Sequence, residues 1–76
     1  MKPEERRLLL AIARRSSDKS VRDICHETGV YKQNLYYLSK WARKGWYDYG
    51  VSLDLGWLTA AGIVTAIAAE IGKSGA

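Results

Sequence analysis

Apolar residues recur at three- and four-residue intervals through most of the chain and shift towards alternation only between residues 46 and 58. Leu8, Leu9, Ile12 and Ala13 form the first such stripe and predict a helix over 1–15. Pro3 suits its first turn, Glu4 and Glu5 lie near the positive end of its dipole, and Arg14 and Arg15 lie near the negative end. Residues 16–19 are a polar break. A second helix is expected over 20–28, where Ser20 and Asp23 have a spacing related to a capping box, Ile24 faces inward and Gly29 supplies a left-handed stop. A third runs over 32–44, ended by Gly45, with Val30 placed to pack on Leu35. At 100° per residue Leu35, Leu38 and Ala42 share its inner face, with Trp41 on the edge. Gln33, Tyr36, Tyr37, Lys40 and Lys44 point the other way, flanked by Lys32 and Arg43.

The pattern then changes. Aromatic and β-branched residues with Gly50 and Gly56 as punctuation predict a hairpin over 46–58, with strands at 46–49 and 53–58 around a turn at 50–52. A two-stranded ribbon needs support, and Trp46 and Trp57 are the expected anchors. Thr59 is placed to cap a last helix over 60–71, stopped by Gly72, with residues 73–76 frayed. Ile63, Val64, Ala66, Ile67, Ala68, Ala69 and Ile71 cover nearly its whole circumference. Such a helix has to be covered on most sides, so self-association through Ile63, Val64, Ile67 and Ile71 is expected. The alternative is an alanine-rich helix that tolerates water.

Composition narrows the choices. Seventy-six residues at 47% hydrophobic content make one domain. A single cysteine, Cys25, allows no internal disulfide, and one cysteine with one histidine cannot complete a tetrahedral zinc site. No metal or cofactor is implied. Nothing resembles a signal peptide or a span of 18 apolar residues, so a cytoplasmic protein without a membrane partner is expected. Cys25 and His26 point about 100° apart on a helix, which argues against a nucleophile–base pair, and Cys25 reads as a buried small residue. No acid pair or phosphate loop is present, and an enzyme is not expected.

The net charge of +4 is uneven, being +6 through Lys44 and −2 after it. The outward face of the third helix holds two tyrosines, an amide and lysines but no acid. A face needed only for solubility usually mixes signs, so this one suits a polyanion. Arg6, Arg7 and Arg14 are either phosphate contacts or merely solvated.

Three motifs in order carry a resemblance. Ile24 and Cys25, Gly29, Val30, Leu35 and Leu38 match an apolar, small, glycine, apolar pattern across a two-helix unit. KGWYDYG resembles the lead-in to a first wing strand, and GWLTAAG resembles the L-T-x-x-G exit from a wing. Over roughly residues 5 to 72 the chain resembles the winged helix-turn-helix family, in particular small regulators of the MarR or PadR type. That resemblance implies a mostly α fold with a small two-stranded β-hairpin, in the order helix, helix, helix, strand, strand, helix. It also implies double-stranded DNA as partner, with the helix at 32–44 in the major groove; a homodimer formed through the last helix would place two such helices on a palindrome, about 34 Å apart or a multiple of that. Lys32, Gln33, Tyr36, Tyr37 and Lys40 fall at the base- and phosphate-contacting positions, with Arg43, Lys44 and Arg22 as backbone contacts. Tyr31 and Asn34 would position the helix, and the tyrosine pair could instead pack on the wing. The wing departs from the family pattern: it is short and carries Asp48 and Asp54 but no base. That departure favours a second reading, a phage- or plasmid-type inhibitor or adaptor that binds protein. RNA binding by tyrosine stacking is a weaker third, because a helix is a poor platform for it.

Overall fold

The first helix, α1 (Pro3–Ala13), opens on a proline at a position whose N–H has no intrahelical partner, and it buries Glu5, Leu8, Leu9 and Ile12. It is shorter at both ends than residues 1–15, with Lys2 as N-cap and Arg14 as C-cap. The computed structural model describes residues 1–75, and the side chains of residues 1–72. The next helix, α2 (Val21–Glu27), begins on a capping box. The Asp23 N–H donates to Ser20 Oγ, and the Ser20 N–H donates to the Asp23 carboxylate, both at 3.1 Å. The helix α3 (Tyr31–Lys44) follows a short turn and ends at Gly45. Gly29 and Gly45 have φ of 84° and 81°, the left-handed region where a side chain is strained.

The hairpin is smaller than its sequence pattern. Strand β1 (Tyr47–Asp48) pairs antiparallel with β2 (Trp57–Leu58), Tyr47 opposite Leu58 and Asp48 opposite Trp57. The expected second strand over 53–58 is largely a 3-10 turn, Leu53–Leu55. Neither tryptophan is the main anchor: Trp46 is half-buried and Trp57 exposed. Tyr47 anchors the hairpin instead. Its ring is buried, its hydroxyl donates to the Leu53 carbonyl at 2.6 Å, and that hydroxyl accepts from the Gly56 N–H at 2.9 Å. Burial pushes the phenol up to about 12.

The last helix, α4 (Ala60–Gly75), does not stop at Gly72. The fraying expected of residues 73–76 concerns, in large part, atoms outside the described residues. Thr59 caps α4, its Oγ1 accepting from the Gly62 N–H at 3.2 Å and donating to the Gly45 carbonyl at 2.6 Å. The Thr59 N–H donates to the Trp46 carbonyl at 2.9 Å. A Cβ at Gly62 would run into that same carbonyl. The L-T-x-x-G segment is therefore the joint where α4 meets the start of the hairpin: threonine ties both, and only glycine lets them approach.

The core is one cluster centred on Leu8, Leu9, Ile24, Leu38 and Trp41, with Val21 and Cys25 from α2. Each large apolar side chain buried there contributes about 1.5–3 kcal/mol. Among the described residues of α4 only Ala66 belongs to that cluster; the helix packs on α1 and β2. Among the described residues no helix is long and apolar enough to cross a membrane.

Candidate nucleic-acid interface

The orientation of α3 decides which of its side chains are available. Its buried stripe is Asn34, Tyr37, Leu38 and Trp41, the i, i+3, i+4, i+7 set of a single helical face. The inner face is thus rotated from the expected Leu35, Leu38 and Ala42, of which Leu35 and Ala42 are only half-buried. Asn34 is a polar member of the stripe because the end of α2 needs it. Its Nδ2 donates to the Cys25 carbonyl at 2.9 Å and the Thr28 carbonyl at 2.6 Å, satisfying carbonyls that a helix terminus leaves without partners. Tyr37 is 3% exposed and stacks near Trp41, with centroids 6.4 Å apart. It is a core residue and is out of reach of any ligand on the outward face.

Glu5 fixes that rotation. It is buried on α1 and accepts from Trp41 Nε1 at 2.8 Å and from Lys40 Nζ at 3.1 Å. Lys40, expected to be a free outward cation, is therefore half-buried and ion-paired. A second acid, Asp54, joins the 3-10 turn to α2 and α3. Its side chain is nearly buried and accepts a two-pronged pair from Arg22, at 2.8 and 3.1 Å, and a bond from the Tyr31 hydroxyl. The Arg22 guanidinium and then the Tyr31 hydroxyl hold the Asp54 carboxyl down at about 2. The Tyr31 ring also stacks on His26, centroids 4.0 Å apart. Arg22 is thus engaged within the fold and does not stand free for a phosphate. Lys44 lies over the Trp46 ring, 4.6 Å from its centroid, which leaves it exposed but partly tethered.

Four of the expected contact residues stand together on the open side of α3. Lys32, Gln33 and Arg43 are exposed and make no hydrogen bond or ion pair among the described residues, and Tyr36 is 56% exposed. Lys32, Tyr36 and Arg43 lie along one line of the helix, with about 16 Å of axial rise from the first to the last. Gln33 borders that line. The face contains no acid of its own, and two carboxylates on the packed elements, Glu5 and Asp54, are buried and paired. Asp48, on the hairpin, is exposed. Chemically the face offers two cations, an amide with donor and acceptor, and an aromatic hydroxyl.

Sequence reasoning missed Glu5, Tyr47 and Asp54 as anchors, and it gave Asn34 a helix-positioning role without placing it in the buried stripe. A signal existed for two of them: Glu5 is in register with Leu8, Leu9 and Ile12, and Asn34 with Leu38 and Trp41. Cys25 is fully buried, and burial pushes its thiol up to about 11, which makes it unreactive. Compared with family models, with curated proteins and with solved structures, the chain finds no match in any of the three.

Proposed function

We propose that the chain is a sequence-specific double-stranded DNA-binding protein of the winged helix-turn-helix type, a transcriptional regulator of bacterial, phage or plasmid kind. The helix α3 lies in the major groove and the hairpin is the wing. The observation that carries this reading is the acid-free outward face of α3, where Lys32, Gln33, Tyr36 and Arg43 make no ion pair among the described residues while the buried acids beside the helix, Glu5 and Asp54, are paired inside the fold; the exposed Asp48 borders this face only at its Arg43 end. Gln33 can pair with adenine through both amide atoms, and Lys32 can reach guanine acceptors or phosphate. Arg43, in the last turn of the helix, suits a phosphate. The Tyr36 hydroxyl bonds phosphate or its ring meets a thymine methyl. With Arg22 and Lys40 engaged elsewhere and no base on the hairpin, α3 supplies most of the affinity.

Selection from random duplexes, followed by mobility shift, tests this. Enrichment of one sequence is expected. Gln33→Ala should reduce the preference at one base pair by about 1–3 kcal/mol, and Arg43→Ala should weaken all sequences alike. No enrichment, or wild-type binding by both variants, would overturn the reading.

One observation favours a protein-binding module instead. Tyr49, Val51 and Leu55 are exposed on and after the hairpin turn, beside Asp48, and the hairpin itself carries no cation. An interface built on that surface loses little affinity as salt rises, whereas groove binding loses much.

A further inference from the structure

The helix α4 carries its small side chains inward and its large ones outward. Gly62 and Ala66 are buried, whereas Ile63, Val64, Ile67 and Ile71 are 48, 65, 54 and 65% exposed. A helix placed only by its own chain turns its branched residues to the core. Here the close approach at Gly62 and the Thr59 cap fix α4 the other way round, and its four largest residues share one outer stripe. The stripe continues at both ends. Beyond Ile63, a groove bordered by Trp57 and Leu58 extends it, with Trp57 half exposed. Near Ile67 and Ile71, a groove of about 260 Å³ between α1 and α4 is walled by Leu10 and Ala13.

We propose that this face is covered by a second copy of the same chain, making a two-fold homodimer. Three features select that occupant. The stripe is uncharged: Glu70 is the only ionisable residue in 60–72, and it sits at the edge, ion-paired with Arg14. The charges near it, Arg14 and Glu70 in the groove beside Ile67 and Arg15 in the groove beside Trp57, lie at its margins, so the four aliphatic side chains themselves offer a polyanion or a charged peptide nothing to pair with. The stripe is also self-complementary. Ile63, Ile67 and Ile71 form a ridge at i+4 spacing beside the row Ala60, Val64, Ala68 and Gly72, which is small at three of four positions. A two-fold axis lays each copy's ridge on the other's shallow row, satisfying both at once. Finally, the size fits a modest dimer. A 16-residue helix is about 24 Å long, and with Trp57 and Leu10 its face approaches the roughly 1,000 Å² total of a small specific interface. The dimer is accordingly a concentration-dependent one. Because α4 packs on α1 and β2, its pairing leaves the outward face of α3 open. The proposal does not rest on DNA binding.

Sedimentation equilibrium of the whole chain, without nucleic acid, tests it. Between about 1 and 500 µM the mass should rise from the 8.5 kDa monomer towards twice that value. Ile67→Glu, at an exposed position and checked for helicity by circular dichroism, should weaken association at least tenfold. High salt should leave the wild-type association intact. As an independent readout, Ile67→Cys should cross-link into a disulfide dimer on mild oxidation far faster than Arg7→Cys, with buried Cys25 a bystander. A wild type that stays at 8.5 kDa throughout, with no preferential Ile67→Cys cross-link, overturns the proposal. So does an Ile67→Glu variant that dimerises as well as the wild type.

Discussion

Two helices of similar length, α3 with 14 residues and α4 with 16, present outward faces of opposite chemistry. On α3 the inner side takes the large residues Tyr37, Leu38 and Trp41, and the outer side is left with Lys32, Gln33, Tyr36 and Arg43. On α4 the inner side takes Gly62 and Ala66, and the isoleucines are left outside. A polar outer face is what any surface helix shows. On α3 the informative fact is therefore the absence of acids on that face and the pairing of the buried acids Glu5 and Asp54 beside it. An aliphatic outer face is informative by itself, because leaving it in water forgoes burial that the same residues could have had. Exposure alone identifies neither surface; what the opposite side of each helix had to accommodate does.

The contrast can be broken most forcefully through Glu5, whose carboxylate holds the rotation of α3. Glu5→Ala leaves the Trp41 N–H and Lys40 without their acceptor and opens a gap, and should lower unfolding free energy by about 3 kcal/mol in urea titration. Glu5→Gln, which keeps an acceptor, should cost about half as much. Gly62→Ala attacks the other helix. Its Cβ meets the Trp46 carbonyl, so α4 must shift, with a loss of about 2 kcal/mol seen as a lower Tm. A wild-type Tm would show that the joint is looser than described.

A smaller effect comes from Asp54, which ties the turn before β2 to α2 and α3. Its folded pKa lies below the ordinary 3.8, at about 2, so its contribution is complete above pH 4 and is lost as pH falls from there towards 2. Asp54→Asn should flatten that part of the stability–pH curve. At neutral pH it should cost about 1–3 kcal/mol, the worth of a charge-assisted hydrogen bond. It also releases Arg22, so DNA affinity that stays constant or rises in this variant fits an Arg22 engaged within the fold.

The order and number of helices, the capping box at Ser20, the stops at Gly29 and Gly45, and the Thr59 cap were all legible, because each depends on local chemistry. The rotation of α3 was not. Asn34 and Tyr37 are polar by type, yet one satisfies the carbonyls at the end of α2 and the other stacks near Trp41, and both are turned inward by a rotation that Glu5, 36 residues from Trp41, holds. For the same reason Lys40 and Arg22 read as free cations: their partners, Glu5 and Asp54, lie 35 and 32 residues away. The hairpin anchor was misplaced because tryptophan outweighs tyrosine in size, whereas Tyr47 has the hydroxyl that the Leu53 and Gly56 backbone requires. The outward residues of α4 were legible, since no neighbour could hide a stripe of that size behind alanine and glycine.

The central claim is that the open side of α3 meets a duplex, and its most direct test is the salt dependence of binding to a selected duplex, followed by fluorescence anisotropy. With Lys32, Arg43 and Lys44 as the exposed cations of α3, the logarithm of the binding constant should fall against the logarithm of salt with a slope of about −3 per copy, reduced by about 1 in Arg43→Ala. A slope near zero, or one that Arg43→Ala leaves unchanged, would contradict it.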